Sequence, residues 1–385
     1  MSRKLIKNAS VYYDGAFHQR NVLVEDGMIR QITPYAIEST QAEIIDLAGK
    51  RLVPGFIDIH THGGFNHDIN ASNVADLVDL SYGFASRGTT SFLMSLVTDE
   101  SERIMDCIDS YHAFHQVEKK GANILGIHLE GPFLSHDYKG SMPEHLLTPF
   151  NLDLVQQFQE RAQGAIRYIT VAPEVEGVLE NIPVLNGMGI RVSIGHSGAS
   201  YETAMSAIEN GAITCTHTFN AMGLFHQHRP AIMGAVLESD SVYCEAICDG
   251  RHLHPGTVRM LLKAKGWDKV IAITDSIMAA GLPDGRYKLG VNDIVVVDGD
   301  AKLAYADVRA GSTLTTIQAL HNICKFTGES VEKVLPLLTE NPAKMLGVFD
   351  QVGEIAVGKR ADMVCLSEQD EVLFTMVHGE IVYQV

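Results

Sequence analysis

The sequence predicts an α/β protein: a (β/α)8 barrel with a smaller β-rich module built from both ends of the chain. Three observations predict it. Apolar strand-like runs alternate with helical stretches across the middle of the chain, the two ends read as short strands and turns alone, and polar residues stand at the C-terminal ends of the apolar runs. With 385 residues, 46% of them hydrophobic, the chain can fill one large core and a smaller one beside it.

The first 54 residues supply "LIKNASVYY", "NVLVEDGMIRQI" and "AEIIDLAGKRLVPG". Asp14-Gly15 and Asp26-Gly27 fall between alternating runs, a hairpin signal because both residue types tolerate the backbone of a tight turn. Residues 353–385, "GEIAVGKRADMVCLSEQDEVLFTMVHGEIVYQV", repeat that texture, so 1–54 and 353–385 are expected to form one module. Residues 55–352 read differently. There "GTTSFLMSLVT" precedes a helical "ESERIMDCIDSYHAFHQVEKKG", and "ANILGIHLEGPF", "IRYITVAPE", "IRVSIGHSG", "AITCTHTFNAM", "VYCEAICDG" and "KVIAITDS" follow as strands. Helical segments such as "SYETAMSAIENG" and "PGTVRMLLKAKG" separate several of them. Strand followed by helix, repeated, means parallel pairing, and this many units in about 300 residues suit a closed barrel better than an open sheet. A doubly wound sheet is the runner-up, but no G-x-G-x-x-G follows an early strand.

The charge balance narrows the partners. Thirty Lys and Arg against 47 Asp and Glu give a formal net charge of −17, which disfavours nucleic acid and anionic membranes as partners and means that an anionic substrate would need a local basic pocket. The opening residues lack signal-peptide character and no run is long enough for a membrane span. Six cysteines lie scattered, with Cys244 and Cys248 reading as small buried hydrophobes, so a reducing cytoplasm is expected.

Chemistry is signalled by position within each run. His60 and His62 end "FIDIHTH", Glu130 ends "ILGIHLE", His196 ends "RVSIGH", His217 ends "ITCTH" and Asp275 ends "IAITD". Barrel strand ends converge on one face, where sites of this fold are built. Four imidazoles and a carboxylate suit Zn²⁺, with Fe²⁺, Mn²⁺ or Co²⁺ as alternatives, and a bridging Glu130 allows one ion or two. A cation there makes a water acidic enough to attack near neutral pH, and Asp275 is left to manage protons, a combination that predicts hydrolysis. Taken singly these signals are weak: His-x-His arises by chance in a chain with 17 histidines, and Asp275 alone could cap a helix beginning at Ser276. Their coincidence at five strand ends is what carries weight. His128, two residues before Glu130 and one layer deeper, reads as a core or supporting histidine and not a ligand.

At these residues the chain resembles the amidohydrolase superfamily, and within it the N-acetylglucosamine-6-phosphate deacetylases. The likeness runs through "PGFIDIHTHG", "GIHLEGPF", "KGSMPEHL", "GHSGASYETA", "THTFNAM", "CDGRHLHP", "TDSIMAAGLPDGRYKLG", "AGSTLT", "NPAKMLG" and "GEIAVGKRADMV", in order along nearly the whole chain. The resemblance implies a deformed (β/α)8 barrel, a β-sandwich from both termini and a cytoplasmic homodimer. It implies Glu130, His196 and His217 as principal metal ligands, His60 and His62 as the extra pair of members holding a second ion, and Asp275 as the acid/base. It further implies that Asn220 and the Ala221 N–H bind the phosphate and that His252 contacts an amino-sugar phosphate substrate.

Two departures fall on the specificity surfaces. Where the family reads His-His-Arg-Glu-Pro-Gly, this chain has "HQHRPA", which replaces the phosphate-binding arginine by His228 and shifts the arginine to Arg229. Arg309, before "AGSTLT", stands where the family has an apolar residue near the acyl group, so it either points away or meets a charged substrate component. The alternatives to N-acetylglucosamine 6-phosphate are its galactosamine epimer or another N-acylated amino sugar, then a cyclic amidase, then a catalytically silent sugar-phosphate-binding scaffold.

Overall fold

A computed structural model of the chain describes residues 2–38, 41–118 and 121–385; residues 119–120, at the end of the segment read as helical before "ANILGIHLEGPF", lie outside them. Eight parallel strands follow one another in chain order around the central sheet: β1 (Phe56–Asp58), β2 (Thr89–Val97), β3 (Asn123–Glu130), β4 (Ile166–Val171), β5 (Arg191–Ile194), β6 (Thr214–Cys215), β7 (Tyr243–Ile247) and β8 (Val270–Ile273). All nine residues of β2 are buried, as expected of a strand covered on both faces, and this is why "TTSFLMSLV" carries no charged residue and shows no strict polar–apolar alternation.

A helix follows each strand: α1 (Val74–Ala85), α2 (Ser101–Gln116), α3 (Leu152–Arg161), α4 (Val178–Gly187), α5 (Tyr201–Glu209), α6 (Ala231–Glu238), α7 (Pro255–Lys265) and α8 (Thr316–Thr327). Local chemistry starts several of them. Asn73 and Asp76 form a reciprocal capping box at α1, and the side chains of Asn151 and Ser200 accept the first free N–H groups of α3 and α5. The barrel closes just beyond the strand ends, where Thr61 bridges Ser276, His62 N donates to Ser276 O at 2.8 Å and Asp275 N donates to His60 O at 2.8 Å. The seam thus lies at three of the residues singled out by the sequence.

The chain ends build a second sheet of eight strands. Arg3–Tyr13 sits near its middle, with Ala16–Glu25 and Met28–Thr33 on one side and Arg51–Pro54, Met363–Leu366, Val372–Val377 and Glu380–Gln384 on the other; Glu43–Asp46 pairs alongside. Val22, Val24 and Ile29 from one flank share a core with Met363, Phe374 and Met376 from the other, so the two-layer arrangement is one hydrogen-bonded sheet curled around its own interior.

One element was not anticipated. Between β8 and α8, Gly285–Leu289, Asn292–Val297 and Asp300–Leu303 form an antiparallel meander with its own small core. Its sequence, "YKLGVNDIVVVDGDAKL", carries the alternation and the Asp298-Gly299 turn that specify it. Gly290 at one hairpin tip is tied to the barrel by Asp68, whose carboxylate accepts its N–H at 2.7 Å. After β8 the chain enters a turn and not a helix, and so Asp275 caps nothing.

Candidate metal centre

Five strand ends deliver their polar residues to one point. Glu130 is the hub: its Oε1 lies 3.2 Å from His196 Nε2, 3.3 Å from His217 Nε2 and 3.4 Å from His60 Nε2, and its Oε2 lies 3.2 Å from His62 Nε2. Asp275 Oδ1 is 3.3 Å from His62 Nε2 and 3.6 Å from His60 Nε2. The donors divide into two groups, His60, His62 and Asp275 on one side and Glu130, His196 and His217 on the other; within each group the donor atoms lie within 4.8 Å of one another. All six residues are buried.

The backbone bends sharply to present them. His196, His217 and Asp275 adopt positive φ, of 47°, 28° and 48°, as do Phe219 and Ala221 just after His217. For non-glycine residues each such conformation costs on the order of 1–3 kcal/mol, and it persists only where surrounding contacts over-determine it. Here they do: Asp275 is pinned through His60 O and Ser312 N, and the turn after His196 by Glu174, which accepts from Ser197 Oγ and Gly198 N.

The electrostatics favour a cation. Burial opposes charge on His60, but the carboxylates of Glu245 and Glu130 outweigh it and lift His60 well above the ordinary histidine value. Burial is likewise overcome at His62, raised to about 9 by hydrogen bonds to Asp275 and Glu130. Burial pushes Glu130 up, yet the charge of His60 and the hydrogen bonds from His196, His217 and His60 hold it well below the carboxylate range. Burial also pushes Asp275 up, but the His62 hydrogen bond and the charges of His60 and His62 together hold it low. A site that draws protons onto buried imidazoles is one that a divalent ion fits, and oxygen and imidazole donors match a borderline metal. His128 goes the other way. Burial and the nearby His60 depress it far below 6.5, and its two nitrogens meet Ser95 Oγ and Thr170 Oγ1, the contacts of a supporting core histidine.

A cavity of about 700 Å³ opens above the centre, lined among others by Asn220, Ala221, His252, Lys139, Lys302 and Arg309. Its volume suits a small molecule. Asn220 Nδ2 donates to His217 O, and His252 is oriented by Asp249, 2.7 Å from its Nδ1. Arg309 does line the cavity, but Asp300 engages its guanidinium at 2.8 Å, and Lys302 is paired with Asp307 at 2.6 Å. Among the described residues, Lys139 is a cavity cation without a carboxylate partner. His228 and Arg229 lie elsewhere. They belong to an exposed turn closed by Arg229 N donating to His226 O, outside the lining of this cavity.

Two residues behind the centre escaped the strand-end criterion. Glu245, inside β7, has an oxygen 3.0 Å from His60 Nδ1, and Tyr168 on β4 donates to its other oxygen at 2.6 Å. A lone carboxylate within the apolar "VYCEAIC" was the available signal.

Comparison with known proteins places the chain in context. The Amidohydrolase family profile matches residues 51–382. The N-acetylglucosamine-6-phosphate deacetylase of Bacillus subtilis (strain 168) is 36% identical over 94% of this chain and 92% of its own length. The N-acetylgalactosamine-6-phosphate deacetylase of Escherichia coli O157:H7 is 30% identical over 96% of each. Among solved structures, N-acetylglucosamine-6-phosphate deacetylase from Pasteurella multocida superposes with a TM-score of 0.92 at 31% identity, covering 98% of this chain and 99% of that one. An aspartate-to-alanine mutant of the Mycobacterium smegmatis enzyme, in complex with N-acetyl-D-glucosamine 6-phosphate, gives 0.92 at 30% identity over the full length of both.

Proposed function

We propose that this chain, which belongs to the amidohydrolase family, hydrolyses the acetamide of N-acetylglucosamine 6-phosphate, releasing acetate and glucosamine 6-phosphate. The observation that carries the reading is the shared Glu130 between two imidazole groups, with Asp275 beside them at the floor of a small-molecule cavity. Substrate identity draws its support from relatives that align over nearly their whole length.

The residues divide the work. Glu130, His196 and His217 would hold one divalent ion, Zn²⁺ by the donor set, and His60 and His62 with Asp275 a second; such an ion supplies Lewis acidity, which makes a water more acidic and polarises a carbonyl. Asp275, held ionised, takes the proton from the attacking water and returns it to the departing amine. His252, fixed by Asp249, and Asn220 with the Ala221 N–H orient the sugar and its phosphate from the cavity wall, and Lys139 lends the cavity positive charge. With their charges engaged by Asp300 and Asp307, Arg309 and Lys302 shape the rim as neutral pairs.

The enzyme is read as a cytoplasmic homodimer, in keeping with the family resemblance and with six cysteines that are all free. Among the described residues no helix is long and apolar enough to cross a membrane.

Acetate release by the Zn²⁺-loaded protein tests the function. N-acetylglucosamine 6-phosphate, its galactosamine epimer and the unphosphorylated sugar are compared by kcat/KM. A strong preference for the first is expected. Preference for the epimer would move the assignment to it, and no turnover of any of the three by protein with verified metal content would overturn the reading.

A further inference from the structure

The four imidazoles of the centre differ in what stands behind them. His62 Nδ1 faces the carbonyl of Ser95 at 3.1 Å, His196 Nδ1 faces the carbonyl of Tyr138 at 2.9 Å, and His217 Nδ1 has no partner among the described residues. Behind His60, alone of the four, stands a carboxylate, Glu245 Oε2 at 3.0 Å.

That same oxygen accepts the backbone N–H of His217 at 3.0 Å, and the Glu245 carbonyl accepts the N–H of Thr218 at 2.9 Å. One buried anion therefore touches a residue from each half of the centre, and at His217 it secures a turn whose φ of 28° is unfavourable. Tyr168 completes it, donating to Oε1 at 2.6 Å, so both carboxylate oxygens are engaged and neither needs water. Glu245 has no exposed surface. Burying a carboxylate this deeply is costly, and nothing in the packing of β7, flanked by Cys244 and Ala246, calls for an acid there.

We propose that Glu245 is a positioning residue that makes His60 a competent ligand and so determines whether the His60–His62 half of the centre holds an ion. The inference rests on the metal-centre reading above. With Nδ1–H donated to Glu245, the lone pair of His60 lies on Nε2, the atom facing Glu130 and Asp275. The negative charge behind the ring raises its basicity as a ligand, an advantage that carbonyl-backed His62 and His196 lack. Tyr168 acts one step further back by holding the Glu245 carboxylate in that orientation. In the other half, His196 Nδ1 meets the Tyr138 carbonyl, and Glu245 reaches His217 only through the backbone N–H, which an uncharged amide oxygen can still accept, so that ion should depend far less on the charge of Glu245.

Metal content is the readout. Wild type, Glu245→Gln and Tyr168→Phe are equilibrated in buffers of fixed free Zn²⁺ and measured for metal per chain, with the melting temperature of each metal-free protein taken alongside. Gln keeps the shape and can still accept from His60, but it lacks the charge. Wild type is expected to bind two ions, and E245Q to keep the tighter one while its second dissociation constant rises about 10- to 100-fold, the range seen for loss of such outer partners. Y168F should shift the second site less and in the same direction, and it carries the test if E245Q does not fold.

Two ions bound by E245Q and Y168F with wild-type affinity would overturn the proposal. So would loss of both ions together with a lowered metal-free melting temperature, which would mark Glu245 as a structural residue. A wild type that binds one ion would also overturn it, along with the two-ion part of the reading above, while the hydrolase assignment would stand on the acetate assay.

Discussion

Replacing Asp275 by Asn keeps the shape of the side chain while removing both the base and the charge it offers the second ion. The backbone there is fixed by Asp275 N donating to His60 O at 2.8 Å and by Ser312 N donating to Asp275 O at 2.7 Å, and Asn tolerates a φ of 48° as Asp does. The two side chains are isosteric, so the amide should occupy the place of the carboxylate, 3.3 Å from His62 Nε2, with little change in folding stability. What is lost is a base. General acid–base catalysis contributes roughly 10²- to 10⁴-fold, and at about 1.36 kcal/mol per decade that is about 2.7–5.4 kcal/mol of transition-state stabilisation. Steady-state acetate release should show kcat falling by that factor while KM changes little. Metal analysis should still find the ion held by Glu130, His196 and His217. A kcat within about tenfold of wild type, with the mass of the variant verified, would refute the assignment of Asp275 as proton carrier.

Chelation should abolish turnover, with added Zn²⁺ restoring it; because an ion that binds only the folded state stabilises it by about 2.7 kcal/mol at a concentration 100 times its Kd, melting temperature should rise with free metal, and a metal-independent melt would count against the centre. A second prediction concerns the module built from the chain ends, where the nearly buried Lys4 pairs with Glu380 at 2.6 Å. The Lys4 hydrogen bond holds Glu380 below its ordinary value of 4.5, so the pair stabilises the fold above that pH and the contribution is lost as pH falls through the folded-state value. Glu380→Gln should therefore destabilise the protein at pH 7, by about 1 kcal/mol or less because Glu380 is largely exposed, and the difference in urea midpoint from wild type should close in acid. A gap that widens on acidification would reverse the sign and reject the pairing.

The chain's own pattern determined a good deal. Apolar runs that end in His, Glu or Asp encode the barrel and the face on which its chemistry gathers, because a parallel strand buried on both faces is largely apolar and an ionisable side chain is placed at least cost where the strand emerges. His60, His62, Glu130, His196, His217 and Asp275 were legible for that reason, and His128 as a supporting residue because the two-residue period of a strand sets its depth. The meander before α8 was legible too, in alternation and a turn, but a search for strand-then-helix units passes over it.

Tertiary structure decided the rest. His60 and Glu245 are separated by 185 residues, and Tyr168 lies 77 residues before Glu245; only the closure of β1 against β8 brings β1, β4 and β7 around one interior where these side chains meet. The same holds at the rim. Whether Arg309 presents a free charge depends on Asp300 folding back across the meander, and His228 and Arg229 sit on an exposed turn outside the cavity lining. Strand-end chemistry is written locally because the hydrophobic pattern fixes which side of a strand a residue faces. The partner behind that residue is set by packing between strands far apart in sequence, and no local pattern records it.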